Sequence, residues 1–240
     1  MNQPDKRHRH TLIYRQGVEH WRAQGNLTRE GGNLCALLFN YLAIAVRLSD
    51  ESERPTDWLA GCGIAPVLTR ALDLTETMHC RGDEQRPAGK PFASTYDLLV
   101  FAHMAWAIND WALGERAVQV ARHPAITRRT SPFWLEYSRA VTALINGKSY
   151  RAKSLQTQGM ETYWNDYLTL YAALAQNKPL DEPLMRVAAQ FAKRNADKRL
   201  RRDARAIEGT GNDPVNWDFR QDTLLAYARR SAPLQFEGRP

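Results

Sequence analysis

Apolar positions recur along this chain at helical spacing, and no stretch keeps the period-two alternation of a half-buried strand. Residues 34–46 are almost continuously apolar, and their length and Ala-Leu content predict a central helix buried on most sides. Ahead of it, Leu12, Ile13, Val18 and Trp21 make a looser stripe on a shorter helix over residues 12–22, closed by the turn Gln24-Gly25-Asn26. Asn26 or Thr28 then caps the helix that follows. Residues 49–54 read as a loop, and Pro55-Thr56-Asp57 opens another helix by first-turn chemistry. Gly61, Gly63 and Pro66 interrupt it before Val67, Leu68, Ala71, Leu72 and Leu74 resume the period up to about Cys80.

Residues 81–91 are polar and rich in Gly and Pro, the one long loop the pattern predicts. Ser94 followed by Asp97 has the form of a capping box, and Leu98, Leu99, Phe101, Ala102, Ala105, Trp106 and Ile108 predict an apolar helix running to Gly114. A shorter amphipathic helix over 115–122 follows at once. Ser131-Pro132 opens a helix with Trp134, Tyr137, Ala140, Val141 and Leu144 on one face, stopped by Asn146-Gly147. Shifting the chain by 30 residues lays Trp164 on Trp134, Tyr167 on Tyr137, Ala173 on Ala143, Leu174 on Leu144 and Lys178 on Lys148. The tetratricopeptide pattern is absent. The expected fold is therefore all-α: an irregular α-α superhelix or bundle of antiparallel helical hairpins, repeat-like. Its expected layout is N-terminal helices over 1–80, a polar loop over 81–92 and a helical-hairpin region over 93–240, together one compact domain.

Composition narrows the class without naming a task. The 240 residues are 43% apolar and 25% charged, enough to bury a sizeable core and far from a disordered chain. Three cysteines are too few for a disulfide framework and fit a reducing, cytoplasmic setting. Residues 1–10 are polar and basic, unlike a secretory signal, and the apolar run 34–48 is broken by Asn40 and Arg47 and too short to span a bilayer. No membrane association is expected. The net charge of +7 is concentrated. Residues 193–205 carry seven basic and two acidic side chains, with Arg194, Lys198, Arg201 and Arg205 on one helical face, and residues 1–22 carry five basic and two acidic ones. Such patches suit an acidic protein surface or, as the alternative, the phosphates of a nucleic acid.

Motifs with catalytic precedent fail on context. Gly147-Lys148-Ser149 resembles the end of a phosphate loop, but Thr142 stands where that loop needs Gly and a helix precedes it. Glu76-x-x-His79 has the spacing of a di-iron ligand pair, but no second copy exists, and neither Cys62 nor Cys80 has a Cys-x-x-Cys partner. Cys62 in Gly61-Cys62-Gly63 could be a nucleophile with His79 or His103 as base, yet a small residue where helices cross closely explains it as well. An enzyme would need His103, Asp110 or Cys62 gathered in a polar pocket. His8 and His10 read as part of a solvated basic tail, Asn26-Leu27-Thr28 as a glycosylation acceptor without a route to glycosylation, and the acidic cluster at 213–218 as helix capping. Most of the seven tryptophans are expected in the core. No catalytic residue, cofactor or metal ligand is assigned, and the chain is not expected to be an enzyme. The partner-binding residues expected from charge are Arg194, Lys198, Arg201 and Arg205.

The order of helices over residues 93–178, with the segment FWLEYSRAVTALINGK at 133–148, resembles the all-helical immunity proteins of bacterial toxin and contact-competition systems. That resemblance implies a cytoplasmic protein that binds a cognate toxin and blocks its active site or its activation. It carries no functional motif, so no residue role comes with it.

Overall fold

The computed structural model describes residues 3–48, 55–80, 91–128, 130–146, 148 and 150, and positions 166, 169, 170, 172, 173, 176, 178–186 and 189. Among them the fold is all-α: α1 (Gln3–Ala23), α2 (Leu27–Leu48), α3 (Pro55–Gly61), α4 (Ile64–Thr75) ending in a π-helical turn (Glu76–Cys80), α5 (Thr95–Ala107), α6 (Trp111–Ala121), α7 (Pro124–Thr127) and α8 (Pro132–Ile145). Most of the helix starts follow the expected chemistry. The Asn26 side chain accepts from the Arg29 amide at 3.1 Å, which settles the cap of α2. Ser94 and Asp97 form a complete capping box on α5.

Four boundaries differ from the reading of the sequence. Helix α1 begins at Gln3, so His8 and His10 lie on a helix and not in a tail, with the His10 ring 6.2 Å from Tyr14. Pro66 does not interrupt α4, because it sits in the first turn, where its missing N–H has no helical acceptor to lose. The break falls at Gly63, one of the three expected interrupters, at φ 63°, a left-handed turn that glycine adopts without steric cost. Gly63 therefore turns the chain while Gly61 ends α3, and neither admits a close helix crossing: a Cβ at Gly61 or Gly63 would meet open space. Finally, the apolar helix expected to reach Gly114 stops at Ala107. Asn109 takes a left-handed conformation at φ 61°, and the Asp110 side chain accepts from the Leu113 amide at 3.1 Å to start α6.

Packing follows the distribution of apolar residues. Helix α5 is apolar on every side and buried along almost its whole length, so it shares the centre with α2, whose residues Leu34, Leu38 and Leu42 are fully enclosed. Around these two, α3, α4, α6 and α8 close one contiguous core with Leu59, Leu68, Phe101, Trp106 and Tyr137 inside. The short turns make α1 with α2, and α5 with α6, into helical hairpins. The five-position echo at a 30-residue shift, the segment 193–205, the acidic cluster at 213–218 and the loop at 81–90 fall wholly or mostly outside the described residues. Among the described residues no helix is long and apolar enough to cross a membrane.

A candidate binding groove between α1, α2 and α4

Helix α1 is the least embedded of the long helices, and its periodicity explains the groove it borders. Its inward stripe runs through Thr11, Tyr14, Val18 and Trp21. Leu12 and Ile13 fall off that stripe and stand 56% and 51% exposed, contrary to their expected place in the core-facing set. Arg15, Val18, Glu19 and Arg22, at helical positions i, i+3, i+4 and i+7, form the adjoining face. They meet Leu34, Leu37 and Tyr41 of α2, the N-cap Gly63 of α4, and Pro66, Val67 and Arg70 along α4 around an open groove of about 720 Å³.

Three guanidiniums border this groove, and each is held by a bond beneath it. Glu30 in the first turns of α2 is fully buried, and its carboxylate accepts from Arg22 Nε at 2.8 Å and from Arg70 Nε and Nη2, both at 2.9 Å. Burial pushes the Glu30 carboxyl up, but the hydrogen bonds and charges of Arg70 and Arg22 outweigh it and leave the group below its ordinary value. The same bond to Glu30 holds Arg70 above the ordinary arginine range. Arg15 donates through Nε to the Tyr41 hydroxyl at 2.8 Å, with its guanidinium carbon 5.7 Å from the ring centroid. Nearby, Arg29 lies 4.3 Å from the Trp21 ring centroid.

The residues that suggested chemistry are occupied elsewhere. Both Glu76 oxygens accept from Arg116, which also reaches Asp73 at 2.6 Å and so clamps α6 to α4. His79 lies three residues on with its ring 5.8 Å from Phe92, and burial lowers its pKa. His103 Nε2 is 2.7 Å from the Tyr137 hydroxyl inside the core, while Asp110 caps α6 and Cys62 is half-buried at the α3–α4 corner, so the three serve separate parts of the fold. The Lys148 amide donates to Ala143 at 2.8 Å and closes the end of α8, the ordinary fate of a residue after a helix stop. Of the tryptophans, Trp106 is fully buried, and Trp58, Trp111 and Trp134 pack partly buried against the core.

The expected partner residues Arg194, Lys198, Arg201 and Arg205 lie outside the described residues. The groove arginines were not singled out from the sequence. Their signal was present as Arg15-x-x-Val18-Glu19-x-x-Arg22, but Arg70 joins them only through the packing of α4 on α2. No protein-family model matches the chain, and neither a curated protein nor a solved structure matches it.

Proposed function

We propose that this chain is a non-catalytic protein-binding module of the immunity type, a cytoplasmic bacterial protein that neutralises a cognate toxin by covering part of its surface. The observation that carries the reading is the outer face of α1, where exposed Leu12 and Ile13 stand beside exposed Arg9 and Arg15. Apolar side chains flanked by arginine are the composition from which binding hot spots are built, and the excess of positive charge suits an acidic partner face. Agreement comes from the interior. Glu30 serves Arg22 and Arg70, and Glu136 accepts from Tyr150 at 2.6 Å and from Arg139 at 3.0 Å, so these buried carboxylates serve packing.

Co-expression with the toxin-like product of a neighbouring reading frame in the native genome tests this, with growth and co-purification as readouts. Restored growth and a stoichiometric complex that L12D with I13D disrupts are expected. A chain that restores no growth and co-purifies with none of those products refutes the proposal. Retention on duplex DNA that falls steeply with salt would assign the chain to nucleic acid instead.

A further inference from the structure

The groove between α1, α2 and α4 is lined differently from the outer face of α1 and need not serve the same purpose. Its volume of about 720 Å³ falls within the range of small-molecule sites. The apolar part of its lining is Val18, Leu34, Leu37, Pro66 and Val67, and the charged part is Arg15, Arg22 and Arg70 against the single carboxylate of Glu19. The three arginines are not free to wander: Glu30 fixes Arg22 and Arg70 from below, and the Tyr41 hydroxyl fixes Arg15. Those bonds engage the Nε atoms and Arg70 Nη2, and leave Arg15 Nη1 and Nη2, Arg22 Nη1 and Nη2, and Arg70 Nη1 outside them. Guanidinium donors held in advance lose less freedom on binding, and their forked geometry matches the oxygens of a carboxylate or phosphate.

We infer that this groove is a binding site for a small organic anion, a carboxylate or phosphate carried on an apolar body. The anionic group lies among the free ends of the three arginines, and the body lies against Pro66 and Val67, the apolar lining residues that keep exposed surface, over a floor of buried Val18, Leu34 and Leu37. An inorganic anion would satisfy only the first half of the site, and a neutral body only the second. Of the partner face on α1 only Arg15 also lines the groove, whereas Arg9, Leu12 and Ile13 do not, so the remainder of each site can be tested separately.

Isothermal titration of the full chain with 4-phenylbutyrate and phenyl phosphate tests the inference, with acetate, inorganic phosphate and 4-phenylbutanol as partial probes. At least one organic anion is expected to bind saturably, about tenfold or more tighter than every partial probe. Arg15→Gln should weaken that binding about fivefold or more while the circular dichroism spectrum is unchanged. Val67→Glu, which replaces no arginine but sets a carboxylate in the half-buried lining one helical turn from Arg70, should weaken it as well by competing for the guanidiniums. Equal affinity for organic and partial probes, no saturation by about 10 mM, or undiminished binding by both folded variants would overturn the site. Growth rescue is read with Val67→Glu, which lies on α4 away from the α1 partner face, so loss of this site and loss of the partner reading are distinguishable.

Discussion

Replacing Glu30 by Gln keeps the side chain's shape and removes the charge that two arginines share. Wild-type Glu30 is fully buried and accepts three hydrogen bonds of 2.8 to 2.9 Å from Arg22 and Arg70. Breaking a buried ion pair from one side costs about 3–5 kcal/mol, mostly through the charge left behind. Here those charges are the 51% exposed Arg22 and the 36% exposed Arg70, which rehydrate once released. Solvent screening therefore reduces the expected loss to about 2–3 kcal/mol. At about 2–4 °C per kcal/mol for a chain of this size, the midpoint of thermal unfolding should fall by roughly 4–12 °C.

Circular dichroism at 222 nm, followed by heat and by urea, measures this loss, and a double-mutant cycle with Arg70→Met isolates the pair. The folded-state pKa of Glu30 is depressed, so its contribution is complete above the unfolded carboxyl value, about 4.3, and disappears as pH falls through the lower folded value. Wild type and Glu30→Gln should accordingly converge in strong acid. A loss below about 0.5 kcal/mol at pH 7, the size of an ordinary surface change, would refute the reasoning. So would a loss of the same size at neutral pH and in acid.

Gly114→Ala should cost about 1–3 kcal/mol and alter the near-ultraviolet dichroism, because a Cβ there would collide with the indole of buried Trp106. Arg116→Met should cost about 1 kcal/mol in urea unfolding, since the bridge from α6 to Asp73 and Glu76 is partly exposed. His79 has its folded pKa lowered by burial, so stability falls as pH drops from the unfolded value, about 6.5, toward the folded one, and His79→Phe should flatten that slope in pH-dependent unfolding. Cys35, whose thiol is pushed well above its ordinary value by burial and by Asp97, should react with thiol reagents only on unfolding, as mass spectrometry of labelled protein will show.

Helix position and capping were legible in the residues because they are local. The Ser94–Asp97 capping box, the cap at Asn26 and the near-continuous burial of residues 34–45 follow from chemistry within a few positions of the chain. Boundaries were less legible where two local preferences compete. The apolar run from Leu98 to Leu113 reads as one helix, but Asn109 tolerates a left-handed turn and Asp110 caps a new helix, and only the packing of α6 back against α5 decides between them. Leu12 and Ile13 show the same ambiguity: adjacent apolar residues lie about 100° apart on a helix, and both cannot share the stripe that Tyr14, Val18 and Trp21 turn toward α2.

The amino-acid order alone specified an all-helical chain, because apolar period and cap chemistry act over distances of three or four residues. It did not specify the groove. Arg22, Glu30 and Arg70 are separated by 8 and 40 positions, and nothing local requires that one buried carboxylate should orient two arginines. That choice belongs to the packing of α1 and α4 against α2, where desolvation of Glu30 makes two guanidinium partners a condition of burial.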